Sequence, residues 1–543
     1  MGSSHTQTSG HLFVVDGDIQ SVAVDAWYLP LDNYFSPSNA FLKTIKEVGF
    51  DRNDQQRWNR AEYARFLTKH NDVDVWIGNV GRAEGDATVN HYVKCAMDFL
   101  QLASDRWKTE NPHKTRLPLL AINHIGTGRG GAQFTHGDVL SGIIDAISSA
   151  LDSHELRTDV VIMLWGRKAA AAAQHTRFNR HVDWKTDPQW QFEYNQDQIH
   201  ERAQFLANRL REGSSSVFMG AGVSKGAGLL GWNDMLIEAG RLTSPLTTKE
   251  ELDQFDDPRD KAALLETRFR NMQKSIGVAL REFLTKSKYS LQHGLLSSFP
   301  CDEFITTNID ELFEAACQVG GREIAVIPDK PVGRGRWLLK LHGTVSKPSS
   351  VVFTRDHYLN SFRSSRALIG LVQAMLFTRH MLFVGYGLRD EDFHELVYEV
   401  KSAFPEGQLK KLGTTIALFD DPLQAELWSD VLDVIPMRPA SDDRNPTAEE
   451  TAGAARDAER FLDLIGMLAS SRSAFLLDSN YQGVKSDEEK TAFLALDQVV
   501  DAARSHSDSE TGWGQVRVLL RELGAELGAE LGDADSPRPI IWM

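Results

Sequence analysis

Val217-Phe218-Met219-Gly220-Ala221-Gly222-Val223-Ser224 is an apolar run that breaks into a glycine-flanked turn, and helical spacing runs from Trp232 to about Leu242. A buried strand feeding a Gly-Ala-Gly turn and then a helix is the opening of an open α/β sheet. Such a turn presents backbone N–H groups to a pyrophosphate. A Cβ would hold the phosphate away, so Gly220 and Gly222 are expected to be needed there. One glycine turn after a strand decides little by itself. The order of the two later blocks carries the weight. Phe304-Ile305-Thr306-Thr307 is strand-like and leads into Asn308-Ile309-Asp310. Trp337-Leu338-Leu339 is strand-like and leads into Leu341-His342-Gly343. Three strand ends thus bring an amide, a carboxylate and an imidazole to the edge where open α/β sheets hold ligands.

From about 195 to 470 these blocks resemble the sirtuin, or SIR2, family of NAD-consuming enzymes. Gly220, Ala221, Gly222, Ser224, Gly228 and Trp232 match the family's phosphate loop. Thr306-Thr307-Asn308-Ile309-Asp310 stands where the family carries Thr-Gln-Asn-x-Asp, with Thr307 in place of Gln. His342-Gly343 matches the catalytic His-Gly pair, and Gly385-Tyr386-Gly387-Leu388 the adenosine loop. The resemblance implies a Rossmann-like domain holding NAD+ at Gly220, Ala221, Gly222, Ser224, Trp232, Thr306, Gly385 and Gly387. It implies catalysis by His342, Asn308 and Asp310.

Sirtuin deacylases follow their His-Gly with two Cys-x-x-Cys pairs that bind zinc. This chain has only Cys95, Cys301 and Cys317, none paired at that spacing and none after His342, so no metal is expected. Ser349-Ser350-Val351-Val352-Phe353-Thr354-Arg355-Asp356-His357-Tyr358 instead resembles the SIR2-like effectors of bacterial antiviral defence, in which NAD itself is the substrate. Cleaving the nicotinamide–ribose bond requires groups that hold the carboxamide, shield an oxocarbenium-like ribose and activate a nucleophile. Asn308 can donate and accept hydrogen bonds, Asp310 can steady developing positive charge, and His342 is suited to general base catalysis. The expected activity is a regulated NAD+ hydrolase releasing nicotinamide and giving ADP-ribose or a cyclic form, of the abortive-infection antiphage kind. The alternatives are a protein deacylase or ADP-ribosyltransferase, and a non-catalytic NAD or ADP-ribose sensor. For the residues themselves, Asn308 and Asp310 could only cap the helix beginning at Glu311. His342 could be a turn histidine, and Gly385–Gly387 a tight strand-to-helix turn.

Residues 1–10 are expected to be a disordered N-terminus. Residues 11–190 read as a separate α/β domain, with strands at Leu12–Val15, Asp74–Ile77, Leu117–Ile122 and Val160–Leu164 and helices at Asn90–Arg106 and Leu140–Leu151. Gly17-Asp18-Ile19 with Val24-Asp25-Ala26, and the later Gly126, Gly128 and Gly131, resemble the two ligand loops of macro domains. That likeness implies an ADP-ribose-like nucleotide bound at Asp18, Gly126, Gly128 and Gly131; a plain glycine turn is the alternative. The SIR2-like domain is placed at 195–472, with a charged helical insertion at Thr247–Lys288 serving as a lid. Residues 473–543 read as a helical tail with amphipathic stretches at Thr491–Ala503 and Gln515–Leu531.

At 543 residues, 42% hydrophobic and 25% charged, the chain has the composition of a soluble globular protein. A net charge of −16 argues against broad electrostatic binding of nucleic acid. No stretch reaches the length of an apolar membrane span, and three unpaired cysteines suit a reducing compartment. A cytoplasmic homo-oligomer is expected.

Overall fold

The computed structural model describes residues 9–32, 41–50, 63–81, 88–127, 136–330, 335–357, 366–388, 391–404, 411–441, 446–505 and 512–527. The expected disorder over residues 1–10 therefore lies almost wholly outside the described residues. The fold is α/β throughout, in two compact units whose division does not follow chain order. One unit comprises the chain up to Ile19, Val24–Gln191 and everything from Ser470 on; the other comprises Gln20–Ala23 and Phe192–Ala469.

The first unit is built on a six-stranded sheet of order β1-β6-β5-β2-β4-β3. Its strands are β1 (Leu12–Asp16), β2 (Ala26–Leu31), β3 (Arg65–His70), β4 (Val73–Asn79), β5 (Leu119–Asn123) and β6 (Asp159–Leu164). All pairings are parallel except β3 with β4. The central strand β2 escapes a sequence reading because Pro30 argues against a strand interior. The register resolves this: β5 pairs with β2 only at Ala26 and Trp27, so Pro30 lies beyond the ladder on that side. Helices Val89–Glu110, His136–Asp152 and Arg167–Phe178 cover the sheet.

The segment after 470 is a structural part of this unit rather than an appended tail. Ala474, Phe475 and Tyr481 are buried in one core with Tyr28, Phe99 and Ile144. Phe475 lies edge-on to His175, with ring centroids 5.1 Å apart. The segment continues into helices Asp487–Ser505 and Gly512–Glu522, the second ending well before the helix expected through Leu531. Gly524, with φ of +97°, follows the end of that helix. Residues past 527 lie outside the described residues.

The second unit is a seven-stranded, all-parallel sheet of order β13-β12-β11-β7-β8-β10-β9. The strands are β7 (Ser215–Met219), β8 (Glu303–Thr306), β9 (Ile324–Ile327), β10 (Arg336–Lys340), β11 (His380–Val384), β12 (Gly413–Phe419) and β13 (Leu432–Arg438). The chain leaves β7 in one direction through β8, β9 and β10, then returns to lay β11 on the other side of β7. That reversal makes the carboxyl end of β7 a topological switch point, where sheets of this kind open a crevice. Between β7 and β8 runs the insertion, with helices Lys249–Leu252, Pro258–Asn271 and Ile276–Leu284.

Candidate functional site

At the switch point lies a cavity of about 640 Å³. Ala221, Ser224, Trp232, Asn308, Asp310 and His342 line it, so residues from three separate sequence blocks meet there. The opposite wall comes from the insertion, which contributes Asp256, Asp257, Pro258 and Arg259. Gly220, Gly222, Thr306 and Gly385 are not among the residues that line it.

The glycines have a different reason from the expected phosphate cradle. Gly220 N–H donates to the Val384 carbonyl and Gly222 N–H to the Gly385 carbonyl, each at 2.9 Å, while Val223 and Ser224 N–H close the turn onto Gly220 and Ala221. Those four donors are spent within the protein. A Cβ on Gly220 would sit 2.5 Å from the Gly385 oxygen, and one on Gly385, whose φ is +63°, would sit 2.5 Å from Val223 N. The β7 and β11 turns are thus glycine-lined because their backbones touch. Gly387 is under no such constraint from the described residues, none of which lies within 4 Å of its Cβ position.

Hydrogen bonds hold Asn308 in one orientation. Its Nδ2 donates to the Gly220 carbonyl at 3.0 Å and to Ser224 Oγ at 3.1 Å, and its backbone N–H donates to Thr306 Oγ1 at 2.9 Å. With both amide protons engaged, Oδ1 is the polar atom of this side chain left for a ligand. Thr306 Oγ1 in turn donates to the Met219 carbonyl at 3.0 Å, tying β8 to β7 rather than reaching the cavity. Asp310 is buried; its Oδ2 accepts from Ser224 Oγ at 2.8 Å and its Oδ1 from Leu312 N–H at 3.1 Å, at the start of helix Leu312–Val319. Capping and cavity lining therefore coexist in Asp310.

His342 follows β10, and its carbonyl accepts from Val352 N–H at 3.0 Å. Gly343 has φ of +77°, and a Cβ there would lie 2.1 Å from the Ser350 oxygen. The His-Gly pair is therefore a backbone requirement as well, because the segment after it folds back across Gly343. That segment buries Phe353 against Trp232, with ring centroids 4.4 Å apart. Its Arg355 reaches the insertion, pairing with Asp257 at 2.6 Å and Asp260 at 2.9 Å. Part of the insertion's charge is thus engaged in ion pairs. The Arg259 guanidinium holds the Asp257 carboxyl well below the usual carboxylate range.

Sequence reasoning missed two further groups. Lys340, at the end of β10 and 2% exposed, donates to Glu314 Oε1 at 2.8 Å and to the Asp310 carbonyl. Burial raises the Glu314 pKa, with Lys340 opposing. His293 is 1% exposed and touches Ser224 Oγ at 3.5 Å. Ser290-x-x-His293 has the spacing of a capping box, but that pattern is normally read only with Glu or Gln at the last position. Burial raises the Cys301 and Cys317 thiols to about 12, so neither serves as a nucleophile at neutral pH.

In the first unit, Asp18 follows β1, and Gly126, with φ of +86°, follows β5. Gly128 and Gly131 lie outside the described residues. Among the described residues one trio, Asp152, His181 and Asp187, has metal-ligand spacing, but Arg180 already pairs with Asp152 at 2.8 Å. No helix among the described residues is long and apolar enough to cross a membrane.

The family model of the SIR2-like domain matches residues 302–435, the stretch holding Asn308, Asp310 and His342. The protein named NAD(+) hydrolase ThsA from Cytobacillus dafuensis is 24% identical over 205 residues, 35% of this chain and 39% of that one. Its namesake from Acinetobacter baumannii (strain 532279) is 25% identical over 237 residues, 40% and 45% of the two chains. Defense-associated sirtuin 2 of Bacillus subtilis is 34% identical over 104 residues, 18% of this chain and 10% of that one. The matches thus span less than half the length of these relatives. A solved Oceanobacillus iheyensis macrodomain with ADP aligns over 32% of this chain and 92% of its own, at 14% identity and a TM-score of 0.23.

Proposed function

We propose that the second unit hydrolyses NAD+ to nicotinamide and ADP-ribose or a cyclic form. The observation that carries this reading is the convergence of Asn308, Asp310 and His342 on one cavity at the switch point of a parallel sheet. Asn308 Oδ1 accepts a hydrogen bond from the attacking water or a ribose hydroxyl, and His342 takes the proton as general base. Asp310 supplies negative charge beside the oxocarbenium-like ribose as nicotinamide leaves. The SIR2-like match over 302–435 and the NAD(+) hydrolase names of the relatives support the same reading.

Unrestrained loss of NAD is toxic, so the activity is regulated. The first unit, through an ADP-ribose-like nucleotide at Asp18 and Gly126, is the proposed trigger, and antiphage defence by abortive infection the proposed setting. The test is chromatography of NAD+ incubated with the full chain, with and without ADP-ribose-like nucleotides. Release of nicotinamide without any acyl-lysine substrate, lost in Asn308→Ala and His342→Ala, is the expected result. Release that persists in both variants would sink the assignment. Turnover only when an acetylated peptide is added would favour deacylation, and NAD binding without turnover a sensor.

A further inference from the structure

We propose that the segment Gln20–Ala23 is a positioning element for the cleavage of NAD: docked on Tyr289, it holds Ser290 against the glycine turn that carries Ser224. The inference rests on the NAD-hydrolase reading and extends it to a segment that does not line the cavity.

In sequence these four residues connect β1 to β2, yet they belong to the second unit. Backbone pairing puts them there. Val22 and Tyr289 form a parallel bridge, in which Tyr289 N–H donates to the Ser21 carbonyl at 2.9 Å and Ala23 N–H to the Tyr289 carbonyl at 2.8 Å. Val22 is fully buried and Tyr289 is 1% exposed, so without the segment both backbone groups of Tyr289 would lose their partners in a place water does not reach. Tyr289 stands between Leu284, the cavity-lining end of the insertion's last helix, and Ser290, which caps helix Leu291–Ser297.

Ser290 passes the restraint to the turn. Its Oγ donates to the Val223 carbonyl at 2.7 Å. A Cβ on Gly226 would lie 3.0 Å from the Ser290 Cβ, so the helix start packs directly on the turn. The Val223 carbonyl shares a rigid peptide plane with the Ser224 N–H, which donates to the Ala221 carbonyl at 3.1 Å. Holding that plane sets where the Ser224 side chain begins. Ser224 Oγ is the atom that accepts from Asn308 and donates to Asp310, so an error in its position is passed to both. Each link from Ala23 through Tyr289, Ser290 and Val223 to Ser224 is a covalent bond or a hydrogen bond within the second unit.

Variants of the full chain separate positioning from mere packing. Ala23→Pro removes the donor to the Tyr289 carbonyl, and Ala23→Ser keeps it. With wild type alongside and rates corrected for folded fraction, the expected result is a fall in kcat of about 10-fold for Ala23→Pro, with KM for NAD little changed. Ala23→Ser should stay close to wild type, and deuterium uptake over residues 222–226 should rise only in Ala23→Pro. Ser290→Ala cuts the next link, so the double variant of Ala23→Pro with Ser290→Ala should lose no more than Ser290→Ala alone. If Ala23→Pro does not fold, Val22→Gly takes its place in each comparison, since it removes the buried anchor and leaves every hydrogen-bonding group. Wild-type kcat in the variant would overturn the inference alone, as would unchanged uptake over 222–226 or losses that multiply in the double variant. A wild type that releases no nicotinamide would overturn the NAD-hydrolase reading, and this inference with it.

Discussion

The Gly385 carbonyl accepts the Gly222 amide proton at 2.9 Å, so the turn after β11 and the turn after β7 are built against each other. Gly385→Ala must place a Cβ at positive φ and 2.5 Å from Val223 N. It is expected to cost at least about 1 kcal/mol from the backbone alone, and more from the displaced turn. Gly387→Ala, with no described residue within 4 Å of its Cβ position, should be close to neutral. Urea unfolding of the two variants side by side checks this, and equal midpoints would contradict it.

Phe475 is fully buried in the core of the first unit although it lies far from that unit's strands in sequence. Phe475→Ala should destabilise that unit by about 3–5 kcal/mol. A chain ending at 469 should lose its protection against proteolysis within residues 11–190. If the truncated chain resists protease as the full chain does, the segment after 470 is dispensable to that fold.

Three buried histidines make stability fall with acid. Burial lowers His124 to about 3 and His293 and His380 to about 4, from about 6.5 in the unfolded chain. A lowered native pKa means that the unfolded state binds more protons between those values. The stabilisation is therefore complete above about pH 6.5 and lost as pH falls toward 4. His293 and His380 should each contribute roughly 3 kcal/mol to that loss. Urea midpoints measured from pH 7.5 down to 4.5 should drop steadily, and a flat profile would contradict the burial of these rings.

Lys340 is buried and pairs with Glu314, whose side chain is only 18% exposed, so removing the lysine leaves a largely desolvated carboxylate uncompensated. Lys340→Ala is expected to destabilise the second unit by about 3–5 kcal/mol. Lys340→Met combined with Glu314→Leu should recover much of that stability, since a buried pair replaced by apolar groups of similar volume is often tolerated. Chemical denaturation of the single and double variants decides it. A double variant no more stable than Lys340→Ala would show that the hydrogen bond from Lys340 to the Asp310 carbonyl matters more than the charge.

Arg355 joins the segment after His342 to the insertion through Asp257 and Asp260. These side chains are partly exposed, so Arg355→Ala should barely move the unfolding midpoint. It should nevertheless increase deuterium uptake in residues 256–271, because the clasp restrains the insertion rather than the core. Unchanged uptake would show that Phe353 and Trp232 hold that wall by themselves.

The blocks around Gly220, Asn308 and His342 were legible in the sequence because each is local: an apolar strand, a turn that only certain residues can make, and a polar group at the strand end. The fold class of both units follows from the same repeated pattern. Other features could be known only once the chain had folded. β2 was hidden because Pro30 breaks the local rule, and only the short register with β5 makes it harmless. The membership of Phe475 in the first core depends on a contact across hundreds of residues. Gly220 and Gly222 were expected to meet a phosphate; they meet Gly385, which neighbours them only through the pairing of β7 with β11. His293 looks like any helix-start residue until the sheet brings Ser224 and Asp310 beside it. Local propensity and patterning are written along the chain, whereas close approach, burial and the direction of each proton depend on neighbours that only tertiary packing supplies.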